Sequence, residues 1–133
     1  PPYEVPTPQA RAALPERVPL SDAVFNLARS ALWPAALYSG RLEALREATR
    51  DRLHQRQRAH LMPGLEAALE AAYGAGALAA FVGGAGPTLA ALVQPGRAQA
   101  VGQALRDYVG KGDTLVLRAG EGYQWKEVLT PSV

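Results

Sequence analysis

The stretch ALAAFVGGAGPTLAALV, residues 77–93, decides how the rest of this chain is interpreted. Two apolar runs within it, residues 78–82 and 89–93, have the length of strands and the composition of buried ones. The loop between them, residues 83–88, has glycine at three of its first four positions. Glycine permits positive φ and lets another group approach the backbone closely. The stretch therefore predicts a strand, a tight glycine loop and a second strand.

Taken alone, the glycine loop supports two interpretations. A hairpin turn needs glycine only for its backbone geometry. A loop that cradles a phosphate or a carboxylate uses glycine because bare backbone N–H groups can then face the anion. The loop does not separate these two alternatives, so the remainder of the chain has to be considered.

The composition of the 133 residues describes one globular domain. Hydrophobic residues make up 48% of the chain and charged residues 20%, which is the balance of a folded protein and not of a disordered one. Cysteine is absent, which excludes disulfides and thiolate metal sites and leads us to expect a cytoplasmic location. The net charge of +2 does not indicate nucleic acid as a partner. No apolar run has the length of a membrane span.

Helical patterns occupy most of the chain before the glycine loop and part of it afterwards. The predicted helices are residues 7–14, 21–39, 41–58, 63–74 and 95–109. Ser21 is expected to cap the second of them, and Pro34 to kink or interrupt it. Further strands are predicted at residues 3–5, 114–117 and 123–129. This order predicts an α+β fold, a single domain over residues 1–133 with helices packed on a mostly antiparallel, ferredoxin-like sheet.

Three polar residues in the third predicted helix have a spacing that indicates a shared face. Asp51, His54 and Arg58 stand at i, i+3 and i+7, so on a continuous helix they share one face. A guanidinium and a carboxylate on one face could bind the two charged ends of a zwitterionic small molecule. The alternative is a solvated polar face. The histidines, His54 and His60, differ in helical phase and have no obvious third ligand, so no metal site is expected.

Three longer stretches resemble the C-terminal half of the homoserine kinases, a branch of the GHMP family of small-molecule kinases. They are LPERVPLSDAVFNLARSALWPAAL (14–37), LREATRDRLHQRQRAHLMPGLEAAL (45–69) and GALAAFVGGAGPTLAAL (76–92). The run GAGPT alone resembles only the wider GHMP family. The runs SDAVFN and DRLHQ narrow the resemblance to the homoserine kinases.

The resemblance implies transfer of the γ-phosphate of ATP to the hydroxyl of L-homoserine, with Mg²⁺, in threonine biosynthesis. It implies a GHMP C-terminal domain, whereas ATP and Mg²⁺ bind mainly to an N-terminal half that this sequence lacks. Because the chain begins PPY without methionine, we expect a fragment that is inactive by itself. The expected partners are L-homoserine, that N-terminal half and, through exposed sheet surface, a second copy in a homodimer.

The resemblance also implies roles for individual residues. Arg11 and Arg58 match the two arginines that hold the homoserine carboxylate. The other implied positions are Asp51 and His54, which shape the site and orient Arg58, Gly83, which lines the substrate site, and Gly84, Ala85 and Gly86, which lie beside the phosphate loop. Asn26 and Arg29 belong to the SDAVFN helix, where a structural role and a direct role are both open. No catalytic residue is assigned.

The chain departs from the family pattern at two places. Gly83 stands where family members usually have serine, which removes a hydroxyl near the phosphate. The usual HQPYR run is HQRQR here, residues 54–58, so the final arginine is kept and its proline and tyrosine neighbours are not. The competing hypothesis is a non-catalytic α+β module that binds an amino acid or has a regulatory role.

Overall fold

The computed structural model of the chain describes residues 1–110, 112–120 and 122. The elements are α1 (Thr7–Ala12), α2 (Leu20–Ser39), α3 (Leu45–Ala48), α4 (Gln55–Arg58), α5 (Leu65–Gly74), β1 (Ala77–Val82), β2 (Leu89–Val93) and α6 (Ala98–Val109). A 3₁₀ turn, Leu42–Ala44, precedes α3, and another, Ala59–Leu61, follows α4.

The two strands beside the glycine loop form the predicted antiparallel hairpin. Val82 pairs with Leu89 and Ala80 with Ala91. Within the described residues, these strands are the whole sheet. The expected α+β class is confirmed, because helices pack around an antiparallel hairpin.

Strand β1 lies at the centre of the core. Three apolar clusters contain the most buried side chains, and each includes one residue of β1. The cluster members are Ala36, Leu45 and Ala79 in the first, Met62, Leu65 and Val82 in the second, and Ala72, Ala80 and Val101 in the third. Side chains of α5 and α6 thus pack with Ala80 and Val82 on one face of β1, and α2 packs with Ala79 on the other.

Side chains cover the edge of β1 that faces away from β2. The Tyr73 hydroxyl accepts a hydrogen bond from the Ala80 N–H and donates one to the Ala80 carbonyl oxygen, both at 3.1 Å. Two residues further along β1, the Val82 N–H donates a hydrogen bond to the Gln55 Oε1 at 2.8 Å. Backbone groups of an edge strand otherwise need water or another strand. Here tyrosine and glutamine take the place of a neighbouring strand.

Helix α2 differs from its prediction at its start, and the interruption that was one of the two alternatives at Pro34 is absent. It begins at Leu20, with Pro19 in the N-cap position, and Ser21 makes no capping hydrogen bond. It continues through Pro34 without interruption. Its predicted end is confirmed, because Gly40 has a left-handed φ of 72° and terminates the helix.

The prediction of one continuous helix over residues 41–58 is wrong. The chain forms the short helices α3 and α4, with a non-helical connection between them. The Thr49 hydroxyl bonds back to the Leu45 and Arg46 carbonyl oxygens, and the Asp51 carboxylate binds backbone N–H groups that follow it. Such local hydrogen bonds compete with the helical pattern, and here they replace it.

Two of the further predicted strands are absent. Residues 3–5 and 114–117 adopt no strand. Thr114 instead accepts a hydrogen bond from Arg106 of α6 at 2.6 Å, and the three apolar residues after it are exposed. A run of apolar residues does not reveal whether a partner strand lies within reach. The strand predicted at 123–129 lies outside the described residues.

We predict that Tyr73→Phe lowers the free energy of unfolding by about 1–3 kcal/mol, because the Ala80 backbone groups lose their partner. Urea unfolding of the purified protein measures this change. Tyr38→Phe is the matched control, because Tyr38 is 98% exposed and its hydroxyl is replaceable by water. Equal stabilities of the two variants would show that the Tyr73 hydroxyl does not support the edge of β1.

Candidate functional site

The candidate site is built around α4, a single helical turn whose beginning is held by Asp51. The Asp51 Oδ2 accepts hydrogen bonds from the backbone N–H groups of His54 at 2.8 Å and Gln55 at 2.6 Å. Its Oδ1 accepts a third from Leu53 at 3.2 Å. The first N–H groups of a helix have no partner within it, so the carboxylate supplies what α4 lacks. Asp51 therefore precedes the helix and does not share a helical face with Arg58.

Asn26 connects this arrangement to α2. Its Nδ2 donates a hydrogen bond to the Asp51 Oδ1 at 2.6 Å, and its Oδ1 accepts one from the Arg52 N–H at 2.9 Å. The amide thus bonds the connection before α4 with both of its polar atoms. Of the two roles left open for Asn26 by its sequence, the structure shows the structural one.

The environment of Asp51 favours its ionised form. Burial raises the pKa of Asp51, but the backbone N–H groups of Gln55 and His54 and the amide of Asn26 outweigh burial, and the pKa lies below its ordinary value of 3.8. Only 6% of its side chain is exposed. The His54 Nε2 lies 3.7 Å from the Asp51 Oδ1, which adds an ion pair when the imidazole is protonated.

Gln55 is a functional candidate that sequence reasoning missed. Its Oε1 accepts a hydrogen bond from the Val82 N–H immediately before the glycine loop, and its Nε2 donates one to the Thr49 carbonyl oxygen at 3.3 Å. It therefore fixes α4 against the end of β1. Gln55 is the last residue of the DRLHQ run, which is the one signal that could have identified it.

Arg58, the last residue of α4, joins the glycine loop to α1. It is 9% exposed. Its Nε donates a hydrogen bond to the Ala10 carbonyl oxygen at 2.9 Å, and its Nη1 donates one to the Gly84 carbonyl oxygen at 3.4 Å. Arg11 directly follows Ala10 and is itself exposed. The structure therefore brings Arg58 and the glycine loop together, and Arg11 adjoins them through the backbone of Ala10.

The glycine loop uses part of its backbone for its own fold. The Gly83 N–H donates to the Thr88 carbonyl oxygen at 2.7 Å, and the Gly86 N–H donates to the Gly83 carbonyl oxygen at 3.3 Å. Within the described part of the chain, the N–H groups of Gly84 and Ala85 have no such partner. These two groups at the tip of the loop are the ones that could face an anion.

The glycines of this loop are required for different reasons. Gly86 has a φ of 89°, and a Cβ there would lie 2.6 Å from the Met62 Sδ. Gly84 also has positive φ but has open space around it. Gly83 has neither restriction, because its φ is not positive and a Cβ would lie 3.4 Å from the nearest atom, the Thr88 carbonyl oxygen. The backbone therefore accommodates a side chain at Gly83, where family members are expected to have serine.

His54 and Arg29 belong to a second neighbourhood, a cleft of about 280 Å³ between α2 and the end of β1. The His54 Nδ1 and the Arg29 Nε are buried there without a hydrogen-bond partner. Arg29 also pairs with Glu47 and lies over the Phe25 ring, with its Cζ 3.5 Å from the ring centre. The predicted site residues thus form two groups. Asp51 lines the cleft. It is connected to Arg58 and the glycine loop only through α4.

Other kinds of site find little support in the described residues. A larger cleft of about 660 Å³ carries acidic and basic side chains together and so has no uniform charge. No group of three or more His, Cys, Asp or Glu residues in the described ranges could hold a metal ion. Among the described helices, none combines the length and the apolar character needed to cross a membrane.

We predict that Asp51→Asn lowers the free energy of unfolding near neutral pH by about 1–3 kcal/mol, because hydrogen bonds to a charged group are lost. The lowered pKa of Asp51 means that its contribution is complete above pH 3.8 and is lost as the pH falls through the folded-state pKa. Unfolding measured from pH 7 to pH 2 should therefore give a flatter profile for the variant. The exposed Asp113→Asn is the control, and a parallel profile for Asp51→Asn would contradict the assignment.

We predict opposite results for two glycines of the loop. Gly86→Ala should lower the melting temperature, because the new methyl group meets Met62 and the positive φ costs about 1–3 kcal/mol. Gly83→Ser should leave the melting temperature nearly unchanged, since the side chain meets only ordinary contacts. Thermal unfolding followed by circular dichroism compares the two variants. A larger loss for Gly83→Ser than for Gly86→Ala would reverse the roles of the two glycines.

Comparison with known proteins shows the family of this chain. A family model described as GHMP kinases C terminal matches residues 35–111, more than half of the chain. A homoserine kinase of Thermus thermophilus is 72% identical over 128 residues, which are 96% of this chain and 44% of that protein. A homoserine kinase of Aquifex aeolicus is 46% identical over 111 residues, or 84% of this chain and 37% of that protein.

A solved structure gives the same result. The crystal structure of a homoserine kinase from Cytophaga hutchinsonii matches with a TM-score of 0.75 and 31% sequence identity, covering 80% of this chain and 34% of that one. The chain spans less than half the length of the curated relatives it matches. The family model covers the glycine hairpin and more than half of the residues. The chain therefore belongs to the GHMP kinase family and matches its C-terminal domain.

Proposed function

We propose that this chain is the C-terminal domain of a homoserine kinase, which transfers the γ-phosphate of ATP to the hydroxyl of L-homoserine and gives O-phospho-L-homoserine in threonine biosynthesis. The relatives named homoserine kinase support this proposal. The observation that carries it is the Arg58 guanidinium, which is held between α1 and the glycine loop. The non-catalytic amino-acid-binding module receives no specific support.

The hydrogen bonds of Arg58 leave it able to bind a carboxylate. A guanidinium has five N–H donors, and two of them bond to Ala10 and Gly84. Three remain, on Nη1 and Nη2, which is the edge that binds a carboxylate through two parallel hydrogen bonds. The Arg58 Nη2 is not among the buried unpaired atoms of the described part of the chain, so its two donors are not sealed from solvent. Arg11, exposed on the adjacent helix, supplies a second positive charge.

The loop offers a second binding point on its other side. The Gly84 carbonyl oxygen points towards Arg58. In a trans peptide the following N–H, that of Ala85, points the opposite way. An anion at Ala85 and a carboxylate at Arg58 would therefore lie on opposite sides of one peptide group. L-Homoserine has its carboxylate and its reactive hydroxyl at opposite ends, which suits this separation.

Four polar residues would act through position and not through contact with the phosphate. Asp51 starts α4 and so holds Arg58 at its end, while Asn26 holds Asp51 and Gln55 holds α4 to β1. His54 is proposed to shape the site from the neighbouring cleft. Orienting groups of this kind matter because phosphoryl transfer depends on alignment of the reacting groups.

ATP and Mg²⁺ are proposed to bind mainly to an N-terminal half. The described residues include no group of three or more His, Cys, Asp or Glu that could hold the ion. The chain supplies the amino-acid side of the site together with Gly83, Gly84, Ala85 and Gly86 beside the phosphate. Since phosphoryl transfer requires charge stabilisation around the nucleotide, the 133-residue chain alone should be inactive. The cytoplasmic location expected from the sequence stays a prediction.

We predict that Arg11→Ala and Arg58→Lys in the full-length enzyme each raise the KM for L-homoserine about tenfold or more. Arg11→Ala removes a charge-assisted contact to the carboxylate, and Arg58→Lys keeps the charge but loses the paired hydrogen bonds of the guanidinium. An assay that couples ADP release to NADH oxidation measures the KM for L-homoserine and the KM for ATP. The KM for ATP should change little. Arg11→Ala should also leave stability unchanged, because the side chain is exposed.

The exposed Arg17, in the connection between α1 and α2, provides the matched control through Arg17→Ala. An unchanged KM for homoserine in Arg11→Ala and Arg58→Lys would contradict the assignment of the carboxylate site. Absence of homoserine phosphorylation by the unsubstituted full-length enzyme would contradict the proposed function itself. Turnover by the 133-residue chain alone would show that the second half of the site is not needed.

A further inference from the structure

The aromatic ring of Phe25, on α2, is contacted by three arginine side chains. The Cζ atoms of Arg29 and Arg52 lie 3.5 Å and 3.9 Å from the ring centre, and the Cζ of Arg50 lies 5.5 Å from it. A guanidinium within about 6 Å of the centre of an aromatic ring is attracted by the negative face of the ring. Phe25 is half-buried, so these attractions are partly shielded from water.

Two carboxylates balance most of the positive charge around the ring. Glu47, on α3, forms ion pairs with Arg29 and Arg50. Asp22, one turn before the ring on α2, pairs with Arg52 at 3.2 Å. Three guanidinium groups thus share two carboxylates. The ring is the further group that offsets the repulsion between the three cations.

Two of these arginines flank Asp51, the residue whose carboxylate stabilises the start of α4. The side chains of Arg50 and Arg52 are the ones that lie near the Phe25 ring. Asn26 follows Phe25 in the sequence, and its amide bonds the Asp51 carboxylate and the Arg52 N–H. Two adjacent residues of α2 therefore hold the same three-residue segment, one through its ring and the other through its amide.

We propose that Phe25 is a positioning residue for binding of the amino-acid substrate. Its ring holds the segment that contains Asp51, and Asp51 in turn holds the start of α4. Arg58, at the end of α4, is the group that faces the substrate carboxylate. This inference rests on the proposed function, because the carboxylate site at Arg58 is part of it. Phe25 acts on the position of Arg58 and so on the affinity for homoserine.

Two substitutions of Phe25 in the full-length enzyme separate the ring from its volume. Phe25→Leu keeps an apolar side chain but loses the ring, so it should raise the KM for L-homoserine about fivefold, with a smaller change in kcat. Phe25→Tyr keeps the ring and should stay within about twofold of the unsubstituted enzyme. Tyr108→Leu is the matched control, because it removes a ring that is 52% exposed on α6. An unchanged KM in Phe25→Leu, or an equal rise in Phe25→Tyr, would overturn the proposal.

A double-mutant cycle tests whether the ring acts through Arg58. In the Arg58→Lys enzyme the contact with the carboxylate is already weakened, so adding Phe25→Leu should raise the KM for L-homoserine by less than about twofold. The KM for ATP should stay the same throughout. A rise as large as the one that Phe25→Leu causes alone would show that the ring acts independently of Arg58, and would overturn the positioning role.

Urea unfolding tests the ring contact separately from the proposed function. Arg50→Gln combined with Arg52→Gln removes two cations and leaves the ring in place, and these side chains are 59% and 42% exposed, so the fold should persist. The losses of stability caused by this pair and by Phe25→Leu should not add, because both remove the same contacts. Additive losses would overturn the ring contact. Absence of homoserine phosphorylation by the unsubstituted enzyme would overturn the proposed function and the substrate role of Phe25, whereas the unfolding cycle would still decide the ring contact.

Discussion

The carboxylate of Asp51 is the interaction on which the candidate site depends. It satisfies three backbone N–H groups at the start of α4 and receives the amide of Asn26. A single turn of helix has too few internal hydrogen bonds to form by itself. The carboxylate therefore stabilises α4. This helix positions Gln55 and Arg58 so that they contact the hairpin and α1. The lowered pKa of Asp51 reflects the same hydrogen bonds.

The end of β1 is where the packing of the core and the chemistry of the site meet. Each apolar cluster contributes to holding this strand. Gln55 binds its last N–H, and Arg58 binds the carbonyl oxygen of the loop two residues later. The two interpretations of the glycine loop are consequently compatible. Gly83 and Gly86 close the turn through their N–H groups, and Gly84 and Ala85 keep theirs available.

Much of the architecture was predictable because its signals are local. The hairpin, the C-terminal end of α2 at Gly40 and the helix α6 follow from glycine positions and apolar periods, and the structure has all three. The division of residues 41–58 was not predictable in the same way. Its causes are the hydrogen bonds of Thr49 and Asp51 to nearby backbone groups, together with the contact of Asp51 with Asn26, 25 residues earlier in the chain. A helical period cannot show that a side chain will bond to its own backbone and to a distant helix.

The sequence by itself determined the hairpin, the family resemblance and the identity of the charged residues, because motifs and periodicity are properties of neighbouring residues. Only the tertiary structure decided which charged residues act together. Spacing placed Asp51, His54 and Arg58 on one face, whereas the fold sets Asp51 at the start of α4 and Arg58 at its end, against Ala10 and Gly84. Buried donors must find acceptors wherever the folded chain provides them. That requirement, and not helical spacing, selected the partners of Arg58.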